Sequence, residues 1–310
     1  MKVSLRSRAA PHGVAAQRGG TSSPAPLAPA GEPQLADYAG FLQAMLPQQD
    51  KLIAPHRLGG ERVWLKKAGP RHGMARYRLL GLVAGIFRLD LLRPVPNPGG
   101  EAAIAIEARR LRQLADAGLR VPRVLAQQAE GLLISDLGES GMGAQMLQEC
   151  LEQAAAAGPA TLLAVWRDGL EAIARVHAGG AYLSQAFARN LVLCPDGVIG
   201  YIDFEDDPRE TLSLPECQAR DWLSYLHSTA ALVHAAAPHA AGTHWHGVLA
   251  QGASDAVRER IAMAAQRMRW LRRLPRSRRW GRDTQRVRSA ARLLARWYGP
   301  DGAQQLATSY

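Results

Sequence analysis

The feature that most restricts the fold is the stretch "ARNLVLCPDGVIGYIDFEDDP", residues 188–208. Two short apolar runs flank Pro195-Asp196-Gly197. Such a triplet sets a tight turn, because proline fixes φ, aspartate bonds to nearby backbone and glycine accepts a positive φ. With that turn fixed, residue 194 pairs with 198, and Asn190 falls nearly opposite residue 202, beside Asp203. Two oxygen-bearing side chains then share one open end of a hairpin, roughly 5 to 6 Å apart at the backbone. An amide oxygen and a carboxylate so placed suit a Mg²⁺ ion whose other ligands are phosphates and water. Either residue alone would more simply cap a strand end; the turn that joins them is what points to chemistry.

Upstream, "LGGERVWLKKAG" reads as a hairpin strand with Gly59-Gly60 at the turn, Val63 and Leu65 alternating with Trp64 and Lys66. A short helix precedes it at about 36–49. Residues 101–117 have helical periodicity and stop at Gly118. Ile104, Ala108, Leu111 and Leu114 mark the buried face, and Glu107 falls on that same face, so its carboxylate needs a partner. Lys66 is the expected partner, with Lys67 as a rival. A lysine ordered by such a carboxylate can hold the α- and β-phosphates of ATP. Two strands are expected over 121–138, then helices at about 143–157, 160–178 and 215–235, and a helical tail over 255–298. His177, on an apolar helix face, is expected to be a core residue bonded to loop carbonyls, and Cys194 a small core residue. The order, strands with one helix and then mostly helices, gives an α+β class with two unequal lobes.

The 310 residues are 47% hydrophobic, enough for two packed lobes, and carry a formal net charge of +11, which favours an anionic partner. Three scattered cysteines have no metal-type spacing and imply neither a disulfide framework nor an oxidising compartment. No run of eighteen apolar residues occurs, so no membrane span is expected. The first 31 residues lack Asp and Glu and are rich in Ala, Pro, Gly, Ser and Arg; residues 1–35 are expected to be a disordered basic extension without the apolar core of a signal peptide. Residues 75–100, apolar with interspersed arginines, are expected to form a helix packed on the body rather than one lying at a membrane surface.

Taken together, these motifs resemble the protein-kinase-like superfamily, in particular its small bacterial branch of lipopolysaccharide-core kinases and aminoglycoside phosphotransferases. The resemblance covers about residues 58–235. It implies a two-lobed fold, with a β-rich N-lobe over 36–138 and a helical C-lobe over 139–300, and ATP and Mg²⁺ as cofactors. "VWLK" resembles the strand of the ATP lysine, implying Lys66, and "EARRLRQLADAGLRVPRVL" the helix of its glutamate partner, implying Glu107. "LLISDLG" resembles the hinge where adenine meets Ser135, Asp136 and Leu137. "IARVHAGGAYLSQAFARN" and "GYIDFEDDP" resemble the catalytic loop and the metal-binding strand end, implying Asn190 and Asp203. "ARDWLSYL" implies that Asp221 holds the catalytic loop.

The sequence departs from the family pattern in three ways. Gln185 stands five residues before Asn190, where the family has its catalytic Asp, and Leu183 replaces the usual His. A glutamine can orient a hydroxyl but cannot take its proton. Glu205 replaces the glycine after Asp-Phe, and no Gly-x-Gly-x-x-Gly loop precedes Lys66. If the loop aligns, Gln185 points into the cleft; Glu205 and Asp206 are then the other carboxylates to consider as base. For Asp206 and Asp207, solvated or metal-proximal charge is the expected role. The site therefore either transfers phosphate to a small-molecule or glycolipid hydroxyl or binds nucleotide without turnover.

The tail adds a third expectation. Residues 258–297 hold 14 arginines against Glu259 and Asp283, with Trp270, Trp280 and Trp297 interleaved. Over Arg267–Arg282, arginine forks suit phosphate oxygens and tryptophan suits an interface. The expected partner is an anionic membrane surface, at the inner face of a cytoplasmic membrane, or an acidic glycolipid, with nucleic acid as second choice. Residues 286–297 are expected to be an ordinary solvated helix docked by its tryptophan.

Overall fold

The Gly59-Gly60 pair turns the chain at positive φ (58° and 83°), with Leu58 paired to Glu61 across a two-residue loop. That turn joins β1 (Ile53–Leu58) to β2 (Glu61–Lys67). Together with β3 (Val124–Gln128) and β4 (Gly131–Ser135) they form an antiparallel sheet ordered β1-β2-β4-β3. The computed structural model describes residues 37–70, 99–138, 142–275 and 281–299. The expected basic extension at 1–35 and the expected helix at 75–100 lie outside these residues, apart from Gly99 and Gly100.

Strand periodicity sorts β2 into two faces. Val63 and Leu65, with Leu133 of β4, pack under α1 (Tyr38–Met45) through Leu42 and Leu46. Trp64 and Lys66 face the other way, toward α2 (Gly100–Asp116). This helix stops as expected: Gly118 takes φ 76°, and Leu119 N–H bonds back to the Leu114 carbonyl.

A second, three-stranded sheet has the order β5-β6-β7, from β5 (Gln145–Met146), β6 (Leu191–Leu193) and β7 (Ile199–Tyr201). Residues 145–146 were expected to be helical. They instead pair with Leu193 and Val192, so α3 (Leu147–Ala157) starts later. The hairpin has its expected register: Leu191 opposes Tyr201, and Cys194 N–H bonds to the Val198 carbonyl. Gly197 has φ 79°, and Asp196 Oδ1 accepts from Val198 N–H.

The remaining body is helical: α4 (Pro159–Ala178), α5 (Leu214–Ala236), α6 (Pro238–Gly252), α7 (Asp255–Arg267) and α8 (Gly281–Trp297). Ser213 and Glu216 form a reciprocal capping box at the start of α5, and Ser254 caps α7. No expectation covered α6, and the tail is not one continuous helix, because a 3-10 turn at Arg269–Arg273 separates α7 from α8. One core runs from α2 and β4 through these helices. Trp166, Trp222, Trp245 and Trp297 pack there in a chain of ring contacts 5.5–6.3 Å between centroids. Trp297 thus docks the last helix as expected. The result is an α+β protein rich in helix. No described helix is long and apolar enough to cross a membrane.

Candidate functional site

Hairpin register and sheet pleat bring distant residues to one cleft of about 780 Å³. Its walls include Lys66 from β2, Glu107 from α2, Ser135 at the end of β4 with Asp136 and Leu137 just after it, and Asn190, Asp203 and Glu205 at the open end of the hairpin. Lys66 Nζ lies 2.8 Å from Oε1 and 2.6 Å from Oε2 of Glu107. It also lies 3.1 Å from Glu205 and 3.8 Å from Asp203. Burial opposes the Lys66 charge, but Glu107, Asp203 and Glu205 outweigh it and hold the ammonium above its ordinary pKa. Glu107 is 1% exposed, so this pair is a desolvated ion pair. Lys67 is not its rival: its ammonium donates to the Gln49 carbonyl, in the turn after α1.

At the open end of the hairpin, Ile202 N–H bonds to the Asn190 carbonyl. The Asn190 Nδ2 donates to the Gln185 carbonyl at 3.1 Å, which leaves Oδ1 as the group able to meet a cation. Asp203 has φ 73°, and Ser184 has φ 74°. These are the only two non-glycine residues with positive φ among the described residues, and both flank this site. Such strain persists where the surrounding structure imposes it, commonly at functional positions. Asn190 Oδ1 with the carboxylates of Asp203 and Glu205 is a set of hard oxygen donors that fits Mg²⁺. A cluster of three or more His, Cys, Asp or Glu suited to a metal does not occur among the described residues.

Where β4 ends, the N–H groups of Ser135 and Asp136 donate to the carbonyls of Arg123 and Arg62. The Ser135 hydroxyl accepts from Arg123 N–H, and Asp136 accepts from Trp64 Nε1 at 2.6 Å. Of the three expected adenine contacts, Ser135 and Asp136 therefore have their backbone donors engaged within the protein.

Gln185 does not reach into the cleft as expected. Its Nε2 donates to Asp206 Oδ2 at 2.5 Å. Asp206 was expected to be solvated or beside a metal, yet it is 3% exposed. Burial raises its pKa, against the opposing pull of the Gln185 bond and the Arg220 charge. Asp207 is buried too, and it ties the hairpin to α2. Tyr182 Oη donates to it at 2.6 Å and Arg109 at 3.0 Å, while Arg110 donates to the Tyr182 carbonyl and lies over the Tyr182 ring. Burial works against the Asp207 charge, but Tyr182, Arg110, Arg209 N–H and Arg109 more than offset it and lower its pKa. This network escaped the sequence reading. Its one visible signal was Arg110, three residues after Glu107 on the same helix face.

Behind the loop, Asp221 is fully buried and its Oδ2 accepts from Leu183 N–H at 2.7 Å and His177 Nε2 at 3.0 Å. His177 is a core residue, but its partner is a carboxylate rather than a loop carbonyl. Asp221 holds the 183–185 segment as expected. Cys194 is buried, and burial raises its thiol pKa.

The basic stretch Arg267–Arg282 is described in part. Leu271 is buried, while Trp270 is 41% exposed and Arg272 and Arg273 are exposed. Residues 276–280 lie outside the described residues. No protein-family model matches the chain, and no curated protein matches its sequence.

Proposed function

We propose that the chain is a two-lobed, protein-kinase-like protein that binds ATP with Mg²⁺ and phosphorylates a hydroxyl of a small molecule or glycolipid. The observation that carries this reading is the meeting of Lys66, Glu107, Asn190 and Asp203, from three separate parts of the sequence, around one cleft. In this reading residues 36–138 are the smaller lobe and 139–300 the larger. Lys66, kept charged by Glu107, holds the α- and β-phosphates. Asn190 Oδ1 and Asp203 hold the cation, which supplies neutralisation of phosphate charge. Leu137 and the apolar walls Ile104 and Ile134 take the adenine. In the transfer, the acceptor oxygen bonds to the γ-phosphorus, the bridging P–O bond breaks and ADP leaves. Among the carboxylates of the cleft wall, Glu205 is the one assigned to the acceptor's proton, released from its 3.1 Å contact with Lys66 when the lysine turns to phosphate, since Gln185 cannot take a proton. A loose transition state needs little help from a base.

A second reading, nucleotide binding without turnover, is favoured by one observation: the Gln185 amide is engaged by Asp206 rather than directed at an acceptor. Contact between the basic stretch and an anionic membrane surface or glycolipid belongs to the proposal as well. Mg²⁺-ATP at 100 times its dissociation constant should stabilise the protein by about 2.7 kcal/mol. Asp203→Ala should remove the Mg²⁺-dependent part of that gain. No thermal shift at millimolar ATP would end both readings; a shift without any ADP formed, across a panel of hydroxyl acceptors, would select the second.

A further inference from the structure

The tail holds a built feature that the cleft does not use. Two adjoining recesses run along α8. One, of about 560 Å³, is lined by Arg272, Arg273, Arg288 and Arg292, with Leu274 and Pro275. The other, of about 490 Å³, shares Arg272 and Arg292 and adds Arg296, His234 and Pro238. Arg288, Arg292 and Arg296 repeat at i, i+4 and i+8, which places them along one stripe of the helix. Like charges at that spacing weaken a helix. Arg296, in the last turn, answers the helix dipole, but Arg288 and Arg292 lie too far from the end for that. The facing wall adds two more guanidinium groups from the 3-10 turn.

Among the described residues, no carboxylate lines either recess, and none forms an ion pair with Arg272, Arg273 or Arg292. Elsewhere in the tail such pairs exist: Arg286 lies 3.4 Å from Asp283, and Arg258 meets Asp255. The surroundings of His234 report the same excess. Burial first, and then Arg292, Arg296 and Arg288, press its pKa below the ordinary value, with no acid of the described residues among the causes. Arg296 lies 2.7 Å from His239 Nε2, and an imidazole supplies no negative counter-charge.

A concave wall of guanidinium forks matches phosphate, whose oxygens accept two parallel bonds from each fork. Two recesses sharing two arginines match two phosphates close together. Among the described residues, no Trp, Tyr or Phe lines either recess, so these residues offer none of the aromatic platform on which single-stranded nucleic acid stacks. We propose that this trough between the 3-10 turn and α8 is a binding site for a ligand bearing two neighbouring phosphate groups. The proposal is independent of the nucleotide reading of the cleft. It also moves the functional part of the tail into 286–297, which the sequence had assigned to ordinary solvated helix.

Calorimetric titration of the full chain with pyrophosphate tests it. Wild type should bind, and the affinity should fall steeply on raising salt to about 0.5 M, where the Debye length is roughly 4 Å. Arg272→Ala/Arg292→Ala should weaken binding at least tenfold while leaving the melting temperature equal or higher, because a like-charge contact is relieved. Arg273→Glu, at an exposed turn position, should weaken it as well and serves if the double variant folds poorly. The part of the binding that depends on Arg272 and Arg292 should be unchanged in Asp203→Ala, measured without Mg²⁺. Vesicles of phosphatidylcholine with and without phosphatidic acid separate the sources. Recruitment that needs phosphatidic acid and is lost in Arg273→Glu places the phosphates on a lipid; pyrophosphate binding without recruitment places them on a soluble ligand. Binding unaffected by the arginine substitutions, binding abolished by Asp203→Ala, or tighter binding of a single-stranded oligonucleotide through the same arginines would overturn the proposal.

Discussion

Lys66→Met is the substitution that most directly probes the cleft. At 2.6–2.8 Å separation and an effective dielectric constant of 20, the Lys66–Glu107 attraction is about 6 kcal/mol before desolvation. Desolvating both groups offsets most of that, so the pair as a whole contributes little net stability. Removing one partner is different. Methionine leaves Glu107, 1% exposed, without its cation and with Asp203 and Glu205 nearby. Breaking a buried pair in this way costs about 3–5 kcal/mol. The sign with pH follows from Glu107. Burial raises its pKa in the fold, and without Lys66 nothing strong opposes that rise. The penalty is therefore fully present once the pH exceeds the folded pKa of the carboxyl, and it fades as the pH falls to the unfolded value near 4.3. Guanidinium unfolding at pH 7 and pH 4 should show the midpoint of Lys66→Met well below wild type at pH 7 and closer to it at pH 4. Lys66→Met/Glu107→Leu should recover most of the loss at pH 7. A single-variant cost under about 1 kcal/mol at pH 7, or a double variant no better than Lys66→Met, would refute the view of a desolvated, mutually dependent pair.

Asp206→Asn should be neutral or stabilising at pH 7. The raised Asp206 pKa makes wild-type stability fall as pH climbs from the unfolded value near 3.9 through the folded one, and asparagine removes that dependence while its Oδ1 still accepts from Gln185. Stability titrations of the two proteins should converge at low pH; parallel curves would count against it. Asp221→Ala strips the acceptor from Leu183 N–H and His177 together and should cost about 2–4 kcal/mol by denaturant midpoint, with Asp221→Asn losing less. Equal losses in the two variants would show that the hydrogen bond to Leu183 is not what Asp221 contributes.

Local rules carried the reading where they were strong. The Pro-Asp-Gly turn and the period of two decided that Asn190 lies opposite residue 202, and Gly59-Gly60 decided the first hairpin. The 3.6-residue period put Glu107 among Ile104, Ala108 and Leu111. These results depend on neighbours within a few residues, where backbone sterics dominate. The choice between Lys66 and Lys67 needed tertiary structure, because it depends on which face of β2 meets α1 and which meets α2. The same holds for residues 145–146, which form strand only because an edge of β6 is there to pair with them. Gln185 reads in sequence as a polar residue at a catalytic position, yet its partner Asp206 lies 21 residues away, and only the packing of the hairpin under the loop makes that carboxylate buried. The arginine trough is the clearest case. The sequence shows 14 arginines over residues 258–297 but not which of them converge, since the walls come from the end of α5, a 3-10 turn and one stripe of α8. Charge and helical phase are properties of a segment; desolvation and convergence are set by what other segments press against it.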